Sequence, residues 1–106
     1  MLITDLQEFV SKVHEKLILE NSDLDSMQRQ LFIYTKLSEE VGELSRAVLG
    51  YYDRQRVWED RDPIGQIGPE CADVIFAAMM VARDFDIDIV EEMRKKKEKI
   101  EGRFNL

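Results

Sequence analysis

Five acidic residues stand at short, repeated spacings in two segments of the chain. Glu40 and Glu43 are three residues apart in KLSEEVGEL, directly after Glu39, and Glu70 and Asp73 are three apart in PECADV. Two side chains at this spacing lie on the same face of a helix. If the two helices run antiparallel, four carboxylates meet at one place. There they would raise one another's pKa unless a cation neutralised them.

Asp73 points most strongly to a metal site, because it stands in the most apolar stretch of the sequence. An ionised carboxylate among apolar neighbours is costly unless it is paired or bound to a metal. A set of oxygen ligands without thiol or imidazole favours a hard cation, Mg²⁺ or Mn²⁺, over zinc. The structural alternative is that the glutamates are solvated helix flanks and that Asp73 forms a salt bridge between subunits.

The composition limits the class of protein. The chain has 106 residues, of which 44% are hydrophobic and 35% charged, and this indicates a single folded domain over residues 1–106. A net charge of −7 argues against a nucleic-acid partner. The single cysteine, Cys71, excludes an internal disulfide, and we expect it to be a small buried side chain. Without a targeting segment or a long apolar run, we expect a cytoplasmic protein that makes no membrane contact.

The spacing of apolar residues predicts four helices and no strands, hence an all-α bundle. The first predicted helix covers about residues 2–19, and the second runs from a cap at Asp25 or Ser26 to about Gly50. The third has Pro69 in its first turn and ends at about Phe85, and the fourth runs from a cap at Asp86 or Asp88 to about Gly102. Residues 51–68 show no clear periodicity and are expected to form a long loop. His14, on the first helix, is expected at the surface or at an interface.

The apolar composition of the third helix predicts that the chain forms an oligomer. From Ala72 to Ala82 it is apolar on nearly every face, and a helix of this kind must be covered all round. The other helices of so short a chain can hardly achieve this alone. We therefore expect a four-helix bundle-like chain that is completed by oligomerisation, as a homodimer or a dimer of dimers, with the third helix near the subunit interface.

The fourth helix carries cations that could bind phosphate. Its expected inward stripe consists of Ile89, Met93, Ile100 and Phe104. Lys97 falls on that stripe and Lys96 on its edge, and such breaks of pattern tend to be functional. Lys96, Lys99 and Arg103 share a face, which could contact an anionic group. The alternative is a solvated basic face.

The two acidic segments resemble those of the MazG-type all-α nucleoside triphosphate pyrophosphohydrolases. The family pattern is E-E-x-x-E, a gap, then E-x-x-D. It is matched here by Glu39, Glu40, Glu43, Glu70 and Asp73. The segment KIEGRF, residues 99–104, is similar to the K-F-x-x-R-F ending of many members. Many longer members have an asparagine two residues before that ending, where this chain has Lys97.

The resemblance implies a fold, a reaction and a metal site. The expected fold is of the all-α NTP pyrophosphatase type. The expected reaction is Mg²⁺-dependent hydrolysis of a nucleoside or deoxynucleoside triphosphate between its α and β phosphates, as housekeeping of the nucleotide pool. Glu40, Glu43, Glu70 and Asp73 are expected to hold the metal, which supplies Lewis-acid and nucleophile-generating catalysis. Glu39 is the candidate catalytic residue, which orients the water or holds a second ion.

The candidate substrate contacts lie in three segments. Lys36 precedes the first acidic segment, and the cations of the fourth helix are Lys96, Lys97, Lys99 and Arg103. With the reaction that the resemblance implies, the shared face of Lys96, Lys99 and Arg103 could meet the β and γ phosphates as the leaving pyrophosphate gains charge. Trp58 is the only tryptophan and could stack on the base, its alternative role being to pack on its own scaffold.

Two other functions stay open. Phosphoribosyl-ATP pyrophosphohydrolases share the acidic motif, and a non-catalytic helical dimerisation or interaction module would use the acids structurally. The sequence excludes P-loop NTPases, because it has no G-x-x-x-x-G-K-[ST] loop. It also excludes a ferritin-like di-iron site, because its single histidine, His14, is not part of an E-x-x-H motif.

Overall fold

The computed structural model describes residues 1–52 and 63–106 of the chain. Its helices are α1 (Ile3–Glu20), α2 (Ser26–Tyr51), α3 (Pro63–Asp84) and α4 (Ile89–Phe104). Within the described ranges there is no strand, so the all-α class is confirmed there. Among these same residues, no helix combines the length and the apolar content that a membrane crossing requires.

Two helices begin at residues that the sequence analysis named as candidate N-caps. Asp25 caps α2: its Oδ1 accepts from the N–H of Gln28 at 2.8 Å, and the Gln28 side chain accepts from the Asp25 N–H at 3.0 Å. This reciprocal capping box satisfies two N–H groups that the first turn leaves free. Asp88 caps α4 by accepting from the N–H of Glu91 at 3.2 Å. Of the alternatives at each start, Asp25 and Asp88 are therefore the caps.

The third helix starts earlier than the sequence predicted. It begins at Pro63, so residues 63–68, expected in a loop, are helical, and Pro69 lies inside the helix. Since proline has no N–H, the carbonyl of Gly65 receives no helical hydrogen bond from position 69. Either proline suits a first turn, and the prediction chose the wrong one. The rest of the expected loop, with Trp58, lies outside the described residues.

The antiparallel pair of α2 and α3 forms the centre of the fold. Arg29 and Asp84 are joined by an ion pair, while Glu40 and Asp73, the same number of residues further along the pair, meet near its middle. A step forward on α2 thus corresponds to a step back on α3. The buried apolar side chains are Val10 of α1, Ile33 and Ala47 of α2, and Met79 and Ala82 of α3.

A buried carboxylate ties three helices together. Asp84, at the end of α3, accepts at Oδ1 from His14 Nε2 of α1 at 2.8 Å and from Arg29 Nε of α2 at 2.7 Å. Burial acts to raise the pKa of Asp84, but the hydrogen bonds from His14 and Arg29 outweigh it and hold that pKa below its usual range. The expectation of a surface or interface histidine is wrong, because His14 is only 7% exposed and binds this carboxylate.

The fourth helix does not bury the stripe that was expected to face inward. Met93 and Phe104 are 53% and 64% exposed. The reason is that α4 packs mainly near its start, against α1 and the end of α3, where Gln7 donates to Asp88 at 3.0 Å.

The expectation that Cys71 is a small buried side chain is wrong, because Cys71 is exposed. Completion of the bundle by further copies stays a prediction.

The Asp84 junction gives a direct test of the fold. We expect Asp84→Asn to lower the free energy of unfolding by about 3 kcal/mol, because it leaves a largely buried guanidinium without its anion. Urea denaturation at pH 7 measures this change. Since the folded-state pKa of Asp84 is lowered, its contribution is fully present at neutral pH and is lost as the pH falls through the folded pKa.

The control for this substitution is Asp86→Asn, in the turn after α3. Asp86 is exposed, and within residues 1–52 and 63–106 its one ion pair is with Arg83 at the surface, at 3.1 Å. Its backbone has φ 60°, a conformation that asparagine tolerates. A surface pair contributes little, so the control should stay within about 0.5 kcal/mol of the wild type. Equal losses in the two variants would contradict the role given to Asp84.

Candidate metal centre

Four carboxylates meet between α2 and α3. Glu40 and Glu43 of α2 and Glu70 and Asp73 of α3 each offer an oxygen, and these oxygens all lie within 4.8 Å of one another. We call these four residues the acidic cluster. The three-residue spacing places each pair on one helix face, and the antiparallel register brings the two faces together.

Two members of the acidic cluster carry the electrostatic cost of this arrangement. Burial raises the pKa of Glu40 and of Glu70, and the neighbouring charges of Glu43 and Asp73 raise both further. The Oε2 atoms of Glu40 and Glu70 are buried and have no hydrogen-bond partner in the described part of the chain. Buried acceptors of this kind are normally satisfied, because leaving them unpaired costs free energy.

A hard divalent cation fits this donor set. The cluster offers only carboxylate oxygens, which Mg²⁺ and Mn²⁺ prefer, and a cation among them would satisfy both orphaned oxygens. His14 is not a member of this group, and its Nε2 is bonded to Asp84 at 2.8 Å. The geometry therefore supports the acidic cluster as a site that could hold such an ion.

Lys36 lies at the edge of the acidic cluster, one turn before it on α2. Its Nζ is 3.8 Å from Glu40 Oε1 and donates to Glu39 Oε2 at 3.2 Å. The hydrogen bond to Glu39 raises the pKa of Lys36, so this side chain stays protonated at neutral pH. Glu39 itself is exposed and stands outside the four converging acids.

An apolar cavity of about 250 Å³ adjoins the acidic cluster. Glu40, Asp73 and Lys36 line it together with side chains of three helices: Leu17 of α1, Phe32 and Ile33 of α2, and Phe76, Ala77 and Met80 of α3. Sequence reasoning missed this cavity because its residues come from separate helices whose packing no single motif reports. A second hollow on the surface of α2 is lined by Glu39, Glu43 and Arg46, and the sequence analysis did not identify Arg46.

Among the described residues, no hydrogen bond or ion pair links the predicted phosphate-binding cations of α4 to this site. Lys97 forms an ion pair with Glu101 on the same helix. Among the described residues, no hydrogen bond or ion pair joins Lys96, Lys99 or Arg103 to the acidic cluster. Their role in substrate binding stays a prediction, as does that of Trp58, which lies outside the described residues.

Comparison with known proteins adds no relative: no family model, no curated protein and no solved structure matches the chain. The resemblance to MazG-type enzymes therefore depends on the motif residues themselves and on the geometry in which they meet.

The repulsion within the acidic cluster predicts the effect of removing one charge. In EDTA at pH 7, we expect Glu70→Gln to raise the melting temperature by a few degrees, because it relieves like-charge repulsion and the burial of a charge. The raised folded-state pKa of Glu70 means that the folded chain binds this proton more tightly. The metal-free wild type should accordingly gain stability as the pH falls from 7 toward the raised pKa, and the variant should gain less.

Glu20→Gln, at the exposed end of α1, is the control for this measurement. It removes an acidic charge outside the cluster at the C-terminal end of a helix, so its melting temperature in EDTA should rise by no more than about 2 °C. Its pH dependence should stay close to that of the wild type. If Glu70→Gln instead destabilised the metal-free chain, Glu70 would be a stabilising ion-pair partner, and the electrostatic account of the cluster would be wrong.

Proposed function

We propose that the chain is a Mg²⁺-dependent nucleoside triphosphate pyrophosphohydrolase. The observation that supports this proposal most strongly is the meeting of four carboxylates, two with orphaned buried oxygens, beside an apolar cavity. A polyanionic triphosphate would be repelled by such a cluster alone, and a divalent cation between acid and phosphate removes that conflict. The motif adds the reaction type, hydrolysis between the α and β phosphates.

Within this proposal, the residues of α2 and α3 have separate roles. Glu40, Glu43, Glu70 and Asp73 would hold Mg²⁺. When bound, the ion supplies Lewis-acid catalysis and lowers the pKa of a coordinated water. Exposed Glu39 accepts a proton from the attacking water at its carboxylate. Lys36 exchanges its hydrogen bond with Glu39 for one to a phosphate oxygen and so balances charge on the leaving pyrophosphate.

The apolar cavity is the candidate site for the base. Ligand pockets usually measure about 300–1,000 Å³, so a cavity of about 250 Å³ suits part of a nucleotide better than the whole. Phe32 and Phe76 offer aromatic surface on which a base could stack. Because Glu40 and Asp73 line the same cavity, a base bound there places its phosphates toward the acidic cluster.

The proposal is tested by measuring pyrophosphate release from a panel of nucleoside and deoxynucleoside triphosphates, with Mg²⁺ and with EDTA. We expect release of pyrophosphate and monophosphate in Mg²⁺ and none in EDTA. Glu43→Gln and Asp73→Asn should each lower kcat at least about 100-fold, since each removes a charged ligand of the metal. Their far-UV circular dichroism should match that of the wild type.

Glu20→Gln serves again as the matched substitution and should retain full turnover. Full activity of Glu43→Gln or Asp73→Asn at saturating Mg²⁺ would refute the assignment of the site. Release of single phosphates would refute the cleavage position. Turnover of phosphoribosyl-ATP alone would identify the related pyrophosphohydrolase, and an absence of turnover with every nucleotide would favour a non-catalytic helical module.

A further inference from the structure

A second cavity lies where α1 meets the end of α3 and the turn that leads into α4. Its volume is about 460 Å³, within the range of about 300–1,000 Å³ that is usual for small-molecule pockets. We call it the turn cavity. Its lining residues are separate from the acidic cluster and from the apolar cavity beside that cluster. Any ligand of the turn cavity would therefore bind apart from the candidate metal centre.

Arg83 of α3 lines the turn cavity with one edge of its guanidinium unpaired. Its Nη1 donates to Asp86 Oδ1 at 3.1 Å. Its Nε is buried and has no acceptor in the described part of the chain, and its Nη2 makes no hydrogen bond there either. Nε and Nη2 together form a two-donor edge that a carboxylate binds with both of its oxygens. Because a buried donor without an acceptor is costly, a carboxylate at this edge would be favourable.

Glu8 of α1 supplies an anion to the same cavity. It is exposed, and it makes no hydrogen bond or ion pair within residues 1–52 and 63–106. The other two carboxylates of the lining have partners, because Asp86 accepts from Arg83, and Asp88 accepts from Gln7 at 3.0 Å. With three carboxylates and one guanidinium, the lining favours a ligand that carries a cationic group besides its carboxylate.

The turn cavity also contains apolar side chains from three parts of the chain. Val10 of α1 and Met79 of α3 line it and belong to the buried core, while Ile87 belongs to the turn. Packed core side chains hold a fixed shape, and they offer an apolar part of a ligand a surface away from water. The cavity thus combines a carboxylate-binding edge, an anion and an apolar wall.

We propose that the turn cavity binds a free α-amino acid with an aliphatic side chain. The ligand carboxylate accepts from Nε and Nη2 of Arg83, the ammonium group pairs with Glu8, and the side chain packs against Val10 and Met79. A phosphate does not fit the same site, because its larger negative charge would face three carboxylates. The inference is independent of the proposed function, since it uses no residue of the acidic cluster.

Isothermal titration calorimetry with L-leucine tests the proposal on the full chain, in EDTA and without nucleotide. We expect saturable binding with a dissociation constant below about 1 mM, which is within reach of a ligand of this size. Isocaproate lacks the ammonium group and isoamylamine lacks the carboxylate. Each should bind at least about tenfold more weakly than L-leucine, because each leaves one charged partner unsatisfied. Equal binding by either analogue would overturn the assignment.

Two substitutions test the roles of Arg83 and Glu8. Arg83→Lys keeps a positive charge beside Asp86 but removes the two-donor edge. Glu8→Gln removes the charge of an exposed residue that has no partner in the described chain. Each should raise the dissociation constant for L-leucine at least about tenfold. Glu15→Gln, exposed on the same helix and outside the cavity lining, is the control and should stay within about twofold of the wild type.

The far-UV circular dichroism of the variants should match that of the wild type, which separates a loss of binding from a loss of folding. An absence of saturable binding up to about 10 mM L-leucine would overturn the proposal. Binding that neither Arg83→Lys nor Glu8→Gln weakens would overturn it as well, since the ligand would then lie elsewhere on the chain.

Discussion

The antiparallel register of α2 and α3 is the constraint on which the rest of the structure depends. At one end of the pair, Asp84 of α3 meets Arg29 of α2 and His14 of α1, and this buried junction fixes how the helices align. Because the alignment is fixed there, Glu40 and Asp73 must meet further along. The position of the acidic cluster is thus a consequence of a contact that contains none of its members.

Two positions along the helix pair show opposite ways of burying a carboxylate. Asp84 is buried against two nitrogen donors, and its pKa is held below the usual range. Glu40 and Glu70 are partly buried against other carboxylates, and their pKa values are raised. The first arrangement pairs the charge of Asp84 within the fold, although the buried Oδ2 of Asp84 has no hydrogen-bond partner among the described residues. The second is costly without a cation, and a fold retains such a cost most readily where the charges have a function.

Local patterns predicted the helices and the caps of α2 and α4, because each of these depends on spacing within a short segment. The acidic cluster followed from two such spacings together with an assumed antiparallel packing of the two helices. The predictions for His14 and for the apolar stripe of α4 depended on contacts between distant segments that no local pattern reports, and they were wrong. His14 gave no local sign that Asp84, seventy residues away, would bind it. The apolar residues of α4 could not reveal that the chain leaves them uncovered. The predicted start of α3 was wrong for a different reason: Pro63 and Pro69 are equally suitable for the first turn of a helix.

The central claim is that the acidic cluster binds a hard divalent cation, and a titration with Mn²⁺ followed by electron paramagnetic resonance tests it most directly. The signal of free Mn²⁺ should fall as the wild-type chain binds at least about one equivalent, and added Mg²⁺ should restore it by competition. Asp73→Asn should weaken this binding at least about tenfold, and Glu20→Gln should not change it. Equal binding by the wild type and Asp73→Asn, or no binding by the wild type, would contradict the account.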